Sequence, residues 1–180
     1  MNKLSKQTRI VAIMIAMAAI SRLLPHPYNF TPIGAMALFG GFAFNNRKYA
    51  FLFPLAAMII SDILLEFLFG WGFHSTTPFV YGSFVLITFI GMFLKRLPSD
   101  YGLFVSVSVA PMLSSILFFI VSNFGVWITG GYSYTLQGLA NCYVMAIPFF
   151  YGTFLGDIFY SIILFGSYAI LKWRMPSMVE

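Results

Sequence analysis

The stretch YAFLFPLAAMIISDILLEFLF, Tyr49–Phe69, reads as a helix built for lipid that then admits two charges. At about 1.5 Å per residue an uninterrupted apolar run of this length matches a hydrocarbon core about 30 Å thick. Asp62 and Glu66 nevertheless stand in its second half. A bare charge at membrane depth costs roughly 2.5–3.5 kcal/mol on insertion scales. Arg22 and Asp157 interrupt other apolar stretches in the same way. Such residues face a protein interior or a wet cavity and often mark a substrate or ion path. The four charges therefore predict one polar chamber inside the bundle, open to the exterior, with all of them gathered around it.

Composition points the same way. Of 180 residues, 60% are hydrophobic and 8% are charged, and the mean hydropathy is +0.89. A soluble domain carries about 25% charged residues, so this chain lacks the charge for a water-facing surface. Only helix bundles and closed barrels span lipid. The apolar runs are continuous rather than alternating, which selects helices. The expected fold is all-α: an integral membrane bundle forming a single domain over residues 1–180. The lone Cys142 excludes an internal disulfide and a multi-cysteine metal site. No metal site and no cofactor is expected. The net charge of +5 is distributed as membrane topology requires, and nucleic acid is not an expected partner.

Six spans are expected, at about 8–24, 33–44, 49–69, 79–94, 103–124 and 146–173. Lys3, Lys6 and Arg9 precede the first, Arg47 and Lys48 separate the second and third, Lys95 and Arg96 follow the fourth, and Lys172 and Arg174 close the sixth. Six crossings put all of them on one side, which the positive-inside rule makes cytoplasmic. The opposite connections, 25–31, 70–78 and 125–143, hold no Lys or Arg. The expected topology is thus N-in and C-in, in a bacterial cytoplasmic membrane. The start also resembles a signal peptide, with Ile10–Ile20 as apolar region and Ala16-Met17-Ala18 as cleavage site. A retained helix is preferred, because spans two to six alone leave a thin bundle. The outer segment 125–143 reads either as a re-entrant, lid-like loop or as a plain connector.

Asp62 and Glu66, four apart, share a helix face. They suit a ligand that is cationic or rich in donors, or a proton relay; the structural alternative is an ion pair with Arg22. Asp157 lies on a polar stripe with Thr153 and Ser161, beside Tyr160, and Gly152 and Gly156 permit close helix approach. Ser108, Ser115 and Ser122 form a weaker stripe, more typical of interhelical glue. Asn29 opens the second span after a proline-rich stretch, and His26 and His74 lie on the outer side, where they can meet a ligand or remain ordinary surface residues. Ala12, Ala16 and Ala19 form a small-residue stripe suited to close packing inside the bundle or against a partner. Hydrolase, zinc-protease and phosphate-loop signatures are absent, so no catalytic residue is assigned and no enzyme is expected.

With these residues in hand, the chain resembles the substrate-binding S components of energy-coupling factor (ECF) transporters. The resemblance rests on a small six-span architecture, Ala12-x-x-x-Ala16, and polar residues gathered toward the outer side. Through NFTPIGAMALFGG (29–41), SDILLEF (61–67), NFGVWITGGY (123–132) and CYVMAIPFF (142–150) followed by Gly156-Asp157, it is most similar to a group of bacterial six-span proteins without an assigned substrate. The resemblance implies capture of a scarce vitamin or precursor at the outer face. It implies docking through Ala12, Ala16 and Ala19 on a membrane T component driven by two ATPases, and release inward as the subunit reorients in the lipid bilayer. The implied ligand contacts are Arg22, Asn29, Asp62, Glu66, His74, Trp127, Tyr132, Asp157 and Tyr160. Metal-ion members carry a histidine after the initiating methionine; Asn2 here argues against nickel or cobalt. The rival functions are a self-sufficient ion-coupled carrier or channel, a lipid-modifying membrane enzyme, and a purely structural subunit.

Overall fold

A computed structural model describes residues 4–178, so Asn2 and Lys3 lie outside the described residues. Within these bounds every regular element is a helix: α1 Lys6–Ser21, α2 Ile33–Ala43, α3 Arg47–Phe69, α4 Thr77–Leu94, α5 Ser99–Val107, α6 Val109–Val126 and α7 Leu136–Arg174. A π turn, Trp127–Gly131, prolongs α6, and a 3-10 turn, Pro176–Met178, follows α7. Four units are long and apolar enough to cross a membrane: α3, α4, the run Gly102–Gly131 that joins α5 to α6, and α7. By length and composition this is a multi-pass membrane protein.

The expected spans and the helices agree closely for α2, α3 and α4 and part company elsewhere. The fifth span is two helices, broken at Ser108, whose φ of −123° and ψ of −65° leave the helical region. Pro111 accounts for the break. It has no N–H to give, and its ring crowds the carbonyl four residues back, at Val107, where α5 ends. The outer segment 125–143 is neither lid nor plain connector. The π turn takes its first part, and α7 begins at Leu136, well before the expected 146. Thr135 caps that start, its hydroxyl accepting from the Gly138 N–H at 3.0 Å. The result is a helix of 39 residues, about 58 Å long.

α2 is the centre of the bundle. It has 11 residues, about 16 Å of helix, and is apolar on every side, the mark of a fully enclosed helix. Met36, Leu38 and Phe39 have no exposed surface. Glycines let its neighbours reach its backbone: a Cβ on Gly91 of α4 would strike the Leu38 carbonyl, and one on Gly41 the Thr88 carbonyl. α1 belongs to the same body, with Val11 and Ile15 wholly buried.

One end of the bundle is tied by a polar knot. The Gln7 amide donates to the Ala43 carbonyl at 3.1 Å and to Tyr168 at 3.0 Å. Asn45 donates to Gln7 at 2.9 Å, and Lys95 Nζ to the Phe44 carbonyl at 3.2 Å. Burial beside these groups lowers the Lys95 pKa from its ordinary value. This knot joins the start of α1, the α2–α3 turn, the end of α4 and the last turns of α7. The eight Lys and Arg residues expected on the inner side and lying within the described chain belong to these same segments.

At the other end α1 and α2 stop short. Ser21, the last residue of α1, donates to Tyr160 of α7 at 2.9 Å. The first turn of α2 meets Ser114 of α6 and Asp157 of α7. Along α6, Ser115 lies eleven residues, about 16 Å, before the final Val126. This half of the bundle is therefore framed by the long helices alone, and residues 22–32 run as irregular chain where two helices have ended.

Candidate functional site

Where α1 and α2 end, the bundle is hollow. A cavity of about 950 Å³ lies there, walled by α3, α4, α6 and α7 and bounded by residues 22–33. Irregular backbone within a membrane protein is tolerated where it is buried in protein or lines a wet cavity. That is the place of Asn29, which takes φ of +57°, a left-handed conformation that Asn accepts better than most side chains. Gly152 and Gly156 of α7 let this segment press close: Cβ atoms there would meet the Tyr28 carbonyl and the Thr31 N–H. A smaller void of about 130 Å³ adjoins, sharing Asn29, Phe118 and Thr153 with the large one.

The polar core of the cavity wall is an ion pair. Arg22 Nη2 lies 2.6 Å from Asp62 Oδ1, with side chains 10% and 4% exposed. Tyr81 donates its hydroxyl to Asp62 Oδ2 at 2.7 Å. Arg22 Nη1 donates to Ser61 Oγ, and Ser61 in turn to the Met58 carbonyl at 2.9 Å. Burying two ions is repaid only when geometry and added hydrogen bonds are good. Here both carboxylate oxygens are engaged. Arg22 is also the C-cap of α1, where a cation meets the negative end of the helix dipole. Its Nε is buried without a partner.

Of the nine expected ligand contacts, the cavity gathers four: Arg22, Asn29, Asp62 and His74. His26 also lines it, its Nδ1–H donating to the Pro27 carbonyl at 2.9 Å. The expectation of one chamber shared by all four charges is corrected. Glu66 turns to the loop after α3, where one oxygen accepts from the Gly72 N–H at 2.8 Å and the Phe73 N–H at 3.2 Å. Asp157, 1% exposed, is no part of the cavity wall. It lies at the first turn of α2, where a Cβ on Gly34 would strike both its oxygens and Ser114 Oγ. Its carboxylate faces the Gly34 and Ala35 N–H groups and accepts from Ser115 Oγ at 2.7 Å. A helix N-terminus carries free N–H donors and partial positive charge, so the carboxylate finds a partner there.

The other three expected contacts lie elsewhere. Trp127 donates its indole N–H to the Ser133 carbonyl at 3.0 Å, in the hairpin between α6 and α7. Tyr132 closes that same hairpin. Tyr160 accepts from Ser21 and packs its ring on Phe30, with centroids 5.8 Å apart. Sequence reading missed Tyr81, the second partner of Asp62. Its one signal is a phenol in the first turns of α4, four residues after Thr77, a weak one. Along the proposed docking stripe, Ala16 is exposed, Ala12 half-buried and Ala19 buried. No group of three His, Cys, Asp or Glu side chains able to hold a metal occurs among the described residues.

The chain belongs to a family of unknown function, DUF6580. The family model matches residues 2–178, nearly the whole chain. No curated protein and no solved structure matches it. Membership covers the cavity and its ion pair along with the rest of the bundle, and it assigns them no ligand. The likeness to ECF S components gains nothing from these comparisons and rests on the sequence features alone.

Proposed function

We propose that the protein is the substrate-binding membrane subunit of an ECF-type micronutrient importer, capturing a small water-soluble vitamin or precursor and performing no catalysis itself. The observation that carries this reading is the cavity of about 950 Å³ with a buried Arg22–Asp62 pair in its wall. Ligand sites typically enclose about 300–1,000 Å³, largely apolar, with a few placed polar groups. The cavity opens away from the basic end of the bundle. With that end cytoplasmic, both termini are inside, the chain makes six passes with α1 and α2 the short ones, and the cavity faces the exterior of a bacterial inner membrane. The exposed Ala16 and half-buried Ala12 leave a small-residue face free for a T component with its ATPases.

The test is a thermal-shift screen of the detergent-purified protein against vitamins and their precursors. A true ligand at a hundredfold excess over its Kd stabilises by about 2.7 kcal/mol. Replacing the pair, Arg22→Gln with Asp62→Asn, should weaken that stabilisation, and bulky residues at Ala12 and Ala16 should abolish coupled uptake while sparing binding. A screen without a hit, or equal affinity in that double variant, defeats the reading.

A self-sufficient ion-coupled carrier is the second reading. It is favoured by two helices that end inside the bundle with charged partners at their ends, a pattern that suits ion-coupled transport. Uptake in proteoliposomes that contain this chain alone would select it.

A further inference from the structure

The sequence offers three membrane-embedded carboxylates against one arginine, an excess that favours a ligand with positive charge or many donors. The fold removes that excess from the cavity. Glu66 is engaged by the loop N–H groups of Gly72 and Phe73, and Asp157 by Ser115 and the start of α2. Among cavity-lining residues the carboxylate Asp62 stands alone against Arg22, with His26 and His74 as the remaining nitrogen bases. Both Asp62 oxygens already accept a hydrogen bond, from Arg22 and from Tyr81. Arg22, nine-tenths buried, keeps an Nε–H with no partner. The unspent capacity of the pair is thus a donor beside a cation. A desolvated guanidinium makes its strongest contacts to carboxylates and comparable acceptors. Phe69, Trp71, Phe118 and Leu65 supply apolar and aromatic wall.

We propose that the cavity selects small molecules with a flat, largely apolar body and one anionic or carbonyl-type acceptor, which docks at Arg22, and that it discriminates against cations. This rests on the reading of the cavity as a ligand site and replaces the cationic or donor-rich ligand expected from sequence with an acceptor.

Indole-3-acetate and tryptamine test it, sharing one ring system and carrying opposite charge. Calorimetric titration of the full-length purified protein near neutral pH should show the acid binding about tenfold or more tighter than the amine. In the double variant Arg22→Gln with Asp62→Asn, which leaves no lone buried charge, the preference should collapse to about twofold or less. Should that variant not fold, Tyr81→Phe takes its place: freeing Asp62 Oδ2 should move the preference toward the amine. An amine bound as tightly as the acid, as an aromatic box for cations would give, overturns the proposal. A preference unchanged in these variants also overturns it. If neither probe binds, the vitamin screen decides. Acidic hits weakened by the double variant support the proposal, cationic hits sink it while the importer reading stands, and a blank screen removes both.

Discussion

The two halves of this bundle handle polarity in opposite ways. At the basic end, α2 is enclosed by α3, α4 and α7, backbone approaches backbone over glycine, and the polar groups of Gln7, Asn45 and Tyr168 bond one another. At the other end α1 and α2 have stopped, a cavity of about 950 Å³ takes their place, and charges stand where helices end. Arg22 meets the C-terminus of α1 and Asp157 the N-terminus of α2. The difference teaches why the membrane tolerates these ions. A helix that ends inside a bundle presents unpaired backbone groups: Asp157 faces those of α2, while Arg22, at the end of α1, is held by Asp62 and Ser61.

The largest effect that would sharpen this contrast lies in the packed half. Gly91→Leu should prevent folding, because even a Cβ there collides with the Leu38 carbonyl. Gly91→Ala should cost about 1–3 kcal/mol, the usual range for overpacking. Gly166, which has open space around it, should tolerate alanine within about 0.5 kcal/mol. Thermal or denaturant unfolding in detergent measures all three. Equal tolerance at both glycines would break the claim that α2 and α4 are in backbone contact.

Next in size is the cavity pair. Asp62→Ala should destabilise by roughly 3–5 kcal/mol, since it strands Arg22 as a buried cation. Replacing both, Arg22→Met with Asp62→Leu, should recover most of that loss, and a double-mutant cycle reads the difference. Additive losses would mean that the two side chains are not a unit.

Asp157→Ala should cost about 1–3 kcal/mol, the penalty for leaving buried donors at the start of α2 without an acceptor. Asp157→Asn should recover part of this, because its amide oxygen still accepts. If instead Asn behaves as Ala does while ligand binding disappears, Asp157 acts on the cavity rather than on α2. The smallest effect belongs to Glu66→Ala, about 1 kcal/mol from two lost loop hydrogen bonds, with ligand affinity unchanged.

The sequence carried its own signals for some boundaries that were read differently. Pro111 announced the break between α5 and α6, and Thr135 with Gly138 announced the early start of α7, yet glycines and polar residues over 125–143 argued for loop. Helix won there because Thr135 caps the new helix and the Cys142 and Tyr143 side chains bond carbonyls of α6. The partners of the charges were less legible. Asp62 and Glu66 share a helix face by spacing, but one faces Arg22 and the other the loop beyond α3. Which partner each takes depends on where other helices stop.

What the sequence alone determined is the solvent of this protein. So few charges and such long apolar runs leave lipid-spanning helices as the one affordable arrangement, and the positions of Lys and Arg mark one end of the bundle. What only the tertiary structure decided is which charges meet. Arg22 pairs with Asp62, which lies 40 positions further along the chain, and Asp157 turns to α2 instead. Electrostatic partnership depends on distance and desolvation in three dimensions, and hydropathy along the chain records neither.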